Sequence, residues 1–344
     1  MADYFVWHGS AQDDGDATWN SSTLAYLDLD TCLAAVAAGS DVWVAHDHSK
    51  TYAVDTALNN SGTIAAPILV TCINRTTGAM ATTALEKTTG GSYAFEPFED
   101  NVVYRGVNFG SGDYVYIDGD SVVEFHAAEL EFVSAAADLL YATLGDQNTI
   151  FSNVTLKTNY SGQHIQFSGG CHFRWLGGGL NTGGTAIIKL FNCSGDRGGE
   201  LVLKDLNLSN ITTNILNMST TITSGIFRVL MVGCKLPSAV PILNSDTFSV
   251  PHEVDAWSCD NGDGYYFFKS VRLEGLVVQA INCCRTNGFK YDGTNGCSAK
   301  MVSNANALDS KRPLRFKLAE LWSDANPTLT VETITAGVTL QNDE

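Results

Sequence analysis

Residues Ala256-Trp257-Ser258-Cys259-Asp260-Asn261-Gly262-Asp263-Gly264-Tyr265-Tyr266-Phe267 align without a gap on Ala280-Ile281-Asn282-Cys283-Cys284-Arg285-Thr286-Asn287-Gly288-Phe289-Lys290-Tyr291. The offset between Ala256 and Ala280 is 24 residues. Self-similarity at ~20–28 residues, with short apolar runs inside each period, is the mark of a solenoid. A leucine-rich repeat demands a Leu-x-x-Leu-x-Leu frame, which is absent, and a propeller blade needs ~40 residues or more. A right-handed parallel β-helix fits the spacing.

The same beat extends outward from that pair. A small or polar residue followed by apolar-x-apolar occurs at Gly106-Val107-Asn108-Phe109, Glu129-Leu130-Glu131-Phe132, Asn153-Val154-Thr155-Leu156, Asp205-Leu206-Asn207-Leu208 and Gly275-Leu276-Val277-Val278. Cys171, Cys193, Cys234, Cys259 and Cys283 follow a similar rhythm, as an inward ladder of like residues would. At ~24 residues per coil, residues 55–302 make about ten coils, a rod on the order of 50 Å long at the interstrand spacing. In this register Cys259 stacks on Cys283 and Gly264 on Gly288.

Composition agrees with strands and turns. The 344 residues include 44% apolar and only 17% charged side chains, so long solvated helices are scarce and polar surface falls to Ser, Thr, Asn and Gly. The net charge of -17 repels nucleic acid and anionic lipid, which disfavours both as partners. No apolar run reaches the ~18 residues of a membrane span. Met1-Ala2-Asp3-Tyr4 offers neither a basic nor an apolar signal region. The nine cysteines form no CxxC and no zinc spacing, and they read as buried reduced thiols.

One good helix is expected. Leu29, Cys32, Leu33, Val36 and Ala37 recur at helical spacing, Ser21, Ser22 or Thr23 offers a cap, Asp28 and Asp30 suit its positive end, and Gly39 a stop. It lies between two short strands, Tyr4–Trp7 and Asp41–Val44, so that Leu29, Leu33, Val36 and Ala37 would cover the open end of the first coil and shield its strand edge. The chain thus divides into a strand and capping helix at 1–54, the β-helix at 55–302 and a C-terminal segment at 303–344. In the last, Arg312–Leu318 and Leu329–Ile334 alternate cleanly and read as antiparallel strands.

Tyr4-Phe5-Val6-Trp7, the Gly/Asp-rich loop, the helix ending Ala34-Ala35-Val36-Ala37-Ala38-Gly39, then Asp41-Val42-Trp43-Val44, Thr51-Tyr52-Ala53 and Gly62-Thr63-Ile64-Ala65-Ala66-Pro67-Ile68 resemble the opening of pectate-lyase-like β-helix proteins, most closely those of tailed bacteriophages. The resemblance covers residues 4–300. It implies a virion protein, and one without a preceding particle-binding domain is expected to be a capsid decoration or head protein rather than a tail spike. Partners implied are other phage particle proteins and two further copies in a homotrimer. The rival expectation is a tail spike or a polysaccharide-degrading lyase or hydrolase.

Candidate chemistry is sparse. Asp118 and Asp120 would share a strand face, and Asp260 with Asp263 makes a second carboxylate pair, but each flanks glycine and reads as a solvated turn. Asp13-Asp14-Gly15-Asp16 lacks the closing Glu of a calcium loop. His46 and His48 would share a strand face, but without a third ligand His46-Asp47-His48 reads as a strand-end loop, and His8, His126, His164, His172 and His252 stand isolated. Arg228, Arg272 and Arg285 are too scattered for a lyase groove. The sequons at Asn20, Asn74, Asn153, Asn207 and Asn217 follow from an Asn/Ser/Thr-rich chain. No catalytic, cofactor-binding or metal-ligating residue is assigned, and no cofactor is expected.

Overall fold

The computed structural model describes residues 3–9, 25–89, 93–98, 101–117, 122–132, 138–142, 148–162, 164–167, 170, 172–194, 197–218, 224–237, 243–245, 252–257, 259, 268–270, 276–281, 298–302 and 328–333. They are overwhelmingly strands, joined by one seven-residue helix, Leu29–Ala35. The chain divides into two units, residues 1–160 with 175–183, and residues 161–174 with 184–344.

In the first unit three parallel ladders form. One joins Asp3–Val6, Asp41–Ala45, Ile68–Ile73, Val102–Arg105, Val122–His126 and the start of Asn148–Thr158. A second joins Ser49–Tyr52, Ala84–Thr88, Val107–Ser111, Glu129–Phe132 and the end of Asn148–Thr158. The third joins Phe95–Phe98, Val115–Ile117 and Asp138–Ala142. From 102 to 142 the chain visits the three in turn, twice over. That cyclic order is compatible with a solenoid.

The second unit carries two long parallel ladders. Arg197–Lys204, Ser224–Val232, His252–Trp257, Leu276–Ile281, Ser298–Val302 and Thr328–Thr333 form one. His164–Phe167, Ile187–Cys193, Ile211–Met218, Leu243–Ser245 and Phe268–Ser270 form the other. Ala256 pairs with Ala280 and Trp257 with Ile281, the offset of 24 read from the sequence. Cys283, Gly264 and Gly288 lie outside the described residues.

Three expectations need correction. Leu130 pairs with Phe109 and with Leu156, offsets of 21 and 26 where the apolar-x-apolar alignment gives 23 and 24. Each slip is two residues, so the same side chains stay inside and the hydrophobic pattern is blind to it. Cys193 pairs with Met218, whereas Cys234 and Cys259 contact each other, following strands of the other ladder, so the cysteines are not one column. All five described cysteines, Cys32, Cys72, Cys193, Cys234 and Cys259, are nonetheless buried and outside any disulfide. Finally, Thr328–Thr333 is not antiparallel: it extends the parallel ladder on Ser298–Val302. Alternation reports one covered face and not strand direction. Arg312–Leu318 lies outside the described residues.

The leading residue of the repeated pattern has a structural meaning. Gly106, Asn153 and Asp205 all sit in the left-handed region, at φ 70°, 54° and 55°. Ala127 and Gly233 adopt the same conformation at φ 50° and 64°. These residues turn the chain from one ladder to the next. Their amides are spent on the next strand of each ladder: Gly106 N–H donates to His126 O at 2.8 Å, Ala127 to Ser152 O at 2.9 Å, and Asp205 to Val232 O at 2.9 Å. Short polar side chains tolerate this geometry, and glycine is required where the corners crowd. A Cβ on Gly106 would lie 2.0 Å from the Ala81 carbonyl oxygen.

Inside the first unit, Tyr104, Phe125, Phe151 and Trp175 form a buried aromatic column with successive centroids 5.3, 5.5 and 5.7 Å apart. Rings at this spacing add to the area they bury. The helix is shorter than 29–38. Asp28 caps it, its Oδ1 accepting from Thr31 N–H, and Val36 ends it. Leu29, Cys32, Leu33 and Val36 are buried, but Ala37 is exposed because the helix has stopped before it. Ser21, Ser22 and Thr23 lie outside the described residues. Among the described residues no helix is long and apolar enough to cross a membrane.

Candidate functional site

The strand Ala84–Thr88 places Glu86 inward, at the register position that Phe109, Leu130 and Leu156 occupy on the strands stacked after it. A carboxylate there is fully desolvated and needs partners. His48 supplies one: its Nε2 lies 2.7 Å from Glu86 Oε1, and both side chains are completely buried. The other oxygen, Oε2, has no hydrogen-bond partner.

Around this pair the start of the helix and the strand Ser49–Tyr52 bring further ionisable groups. Lys50 Nζ donates to Asp28 Oδ2 at 2.8 Å, and Tyr52 Oη–H donates to Asp30 Oδ1 at 3.3 Å. Thr31 N–H donates to Asp30 Oδ1 at 2.8 Å. Asp28 and Asp30 hydrogen-bond to one another, so they share a proton and part in affinity. Burial and the Asp28 carboxylate push Asp30 up to about 7. Asp28, although partly buried, is held below the usual carboxylate range by its hydrogen bonds to Asp30 and Lys50. Burial, with Glu86 and Asp30 nearby, raises the Tyr52 phenol, which stays a donor.

A second polar constellation lies in the other unit. Gln166, Asn192 and Asn217 occupy paired register positions, with Asn244 next along the backbone ladder. Asn192 Nδ2 donates to Gln166 Oε1 at 2.6 Å and Asn217 Nδ2 donates to Asn192 Oδ1 at 2.7 Å. Gln166 Nε2 donates to Ser194 Oγ, and Lys189 Nζ to Asn192 Oδ1 at 3.1 Å. Gln166, Asn192 and Asn217 form an amide ladder, and Lys269 follows Asn244 in register.

Several singled-out residues are explained by structure. His8 and His48 are not isolated; their rings meet edge-on, 5.7 Å between centroids. His46 stands 3.8 Å from Asp47, His126 Nε2 lies 2.8 Å from Glu124, and His164 Nε2 3.1 Å from Gln166. Asn74 Oδ1 accepts from Thr76 and Thr77 N–H, Asn207 Oδ1 accepts from Ser209, Asn153 is a corner and Asn217 belongs to the amide column. Arg228 sits between Glu200 and Glu253 in register. Asp13–Asp16, Asn20, Asp118, Asp120, Asp260, Asp263, Arg272 and Arg285 lie outside the described residues. No group of three or more metal-capable side chains is found among the described residues. Sequence reading passed over Glu86, which stands in a short polar run that reads as surface, and Gln166, a lone polar residue between Ile165 and Phe167.

No known protein family, no curated protein and no solved structure matches this chain.

Proposed function

We propose that the chain is a right-handed parallel β-helix of about ten coils, covered at one end by the helix Leu29–Ala35, that serves as a non-enzymatic structural component of a tailed-bacteriophage virion. Its place is the head, as a capsid decoration protein in side-by-side homotrimers. The observation that carries this reading is the arrangement of the N-terminal elements. Asp3–Val6 pairs in parallel with Asp41–Ala45 across the intervening helix, the layout implied by the resemblance of residues 4–68 to phage β-helix proteins. The helix is fastened at both ends, by Lys50 to Asp28 and by Ser61 Oγ–H to the Val36 carbonyl at 2.7 Å, as a fixed end cover should be.

The test is a reconstruction of phage particles carrying the protein, alongside particles with Asp118→Ala and Asp120→Ala. The expected result is rod-shaped density on the head shell, unchanged by the double substitution.

One observation favours a second reading, a polysaccharide-degrading spike or enzyme: in Asp28 and Asp30 a carboxylate pair has parted proton affinities, as acid–base pairs do. Release of reducing sugar from capsular polysaccharide by the purified protein, abolished by Asp30→Asn, would establish that reading and overturn the structural one.

A further inference from the structure

His8 and His48 hold each other's backbone. The His8 N–H donates to His48 Nδ1 at 3.0 Å, and the Ser49 N–H donates to His8 Nδ1 at 3.1 Å. A backbone N–H can only donate, so both Nδ1 atoms present a lone pair and neither carries a proton. With Nδ1 accepting, His48 has its proton on Nε2, which it gives to the buried Glu86 carboxylate. The two rings thus tie the segment after the strand Asp3–Val6 to the start of the strand Ser49–Tyr52, and through Glu86 to the strand Ala84–Thr88.

We propose that this reciprocal pair is an acid-sensitive latch. Protonation of His8 Nδ1 turns an acceptor into a donor facing the Ser49 N–H, so that tie is lost and the segment 3–9 lifts from Asp41–Ala45. The released strand would leave the backbone edge of Asp41–Ala45 unpaired, a template for another strand. His8 is exposed, so solvent protons reach the latch directly, whereas His48 is buried.

The surroundings favour the closed, unprotonated form at neutral pH. Burial and then the neighbouring His48 lower the proton affinity of His8, and Arg75 acts in the same sense, while Asp47 and Glu86 oppose it. Arg75 is itself engaged, its guanidinium 3.8 Å above the Trp7 ring and paired with Asp47, which also neighbours His46. Lys50, Tyr52, Asp28 and Asp30 face Glu86 from the other side. Because native His8 binds its proton less readily than the unfolded chain, the tie weakens as pH falls below the ordinary histidine value of about 6.5.

Hydrogen exchange on the full chain at pH 7.5 and 5.5, corrected for intrinsic rates, tests this. Residues 3–9 and 41–49 should lose protection by about fivefold at the lower pH, the loss of one bond of ordinary net strength, while Ile187–Cys193 and Ile211–Met218 stay protected. His8→Ala should weaken protection of 3–9 already at pH 7.5. His8→Asn, whose Oδ1 accepts from Ser49 without titrating, should restore it and blunt the acid response. Equal protection at both pH values, loss of protection throughout the molecule, or a full acid response in His8→Asn would each overturn the latch.

Discussion

Two buried polar constellations stand in parallel ladders of this chain, and they solve the same problem in opposite ways. Around Glu86 the groups are charged, and the column does not repeat them: Lys50 and Glu86 are succeeded by Phe109, Leu130 and Leu156. Around Asn192 the groups are neutral amides, and the column repeats: Gln166, Asn192, Asn217 and, in register, Asn244. An amide both donates and accepts, so each coil satisfies the next. A carboxylate only accepts, and a second one at the interstrand spacing would repel it. Amides therefore suit a column of stacked strands, whereas the buried carboxylate Glu86 stands where the column changes character, beside the helix and its cap.

The contrast is sharpest in what happens when one partner is removed. His48→Ala strands the Glu86 carboxylate, and breaking a buried pair in this way costs about 3–5 kcal/mol. His48→Phe with Glu86→Leu substitutes the residue types that follow in the column, and replacement of both partners by apolar groups is often neutral or stabilising. Denaturant midpoints of wild type, single and double variants check this. A single variant as stable as wild type would mean that Glu86 is satisfied in another way, and the distinction between the two columns would fail.

The repeat itself was legible in the sequence; its fine register and its polar interior were not. Ala256 and Ala280 pair as aligned because that stretch contains no length change. Elsewhere the offset varies, from 19 between Phe98 and Ile117 to 38 between Asp3 and Asp41, as the connections lengthen and shorten. Parity survives such changes and exact pairing does not, which is why Leu130 was misplaced by two residues. The polar columns were hidden for another reason. Ala84-Leu85-Glu86-Lys87-Thr88 reads as an outward-facing polar strand, and only the ladder reveals that Glu86 shares its position with Phe109. The corners carried a signal in the sequence without its meaning: the small or polar leader marks positive φ at Gly106, Asn153 and Asp205, whereas Glu129 begins a strand.

The amide column yields a smaller effect, shared among neighbours. Asn192→Leu removes the donor to Gln166 and the acceptor for Asn217 and Lys189. Leaving such buried neutral groups unmatched costs about 1–3 kcal/mol. Paired with Gln166→Leu, part of that loss should be recovered, because one orphaned amide disappears. A double-mutant cycle read from denaturant midpoints measures the coupling. Strict additivity of Gln166→Leu and Asn192→Leu would show that the column is a set of independent contacts and not a ladder.

The smallest effect is also the one that changes with pH, and it isolates the charged region from the neutral one. Asp30 in the native chain titrates at about 7, against 3.8 for an ordinary aspartate. Between those values the folded state holds a proton that the unfolded state has released. The contribution of Asp30 to stability must therefore fall as pH rises from about 4 to about 7 and level off above that, where both states are ionised. Asp30→Asn removes this slope: the amide never ionises, its Oδ1 still accepts from Thr31 N–H, and its Nδ2 replaces the shared proton toward Asp28. The expected outcome is a melting temperature close to wild type at pH 5 and above it at pH 8. The gain is only modest, because Asp30 is partly open to solvent, which screens its charge. Asn217→Asp, by contrast, should destabilise most where its new carboxylate is ionised, since the neighbour in that column that it would face is the Asn192 amide oxygen. Parallel curves for Asp30→Asn and wild type across the whole range would mean that Asp28 and Asp30 do not share a proton, and the charged cluster would then be held by the Lys50 and His48 contacts alone.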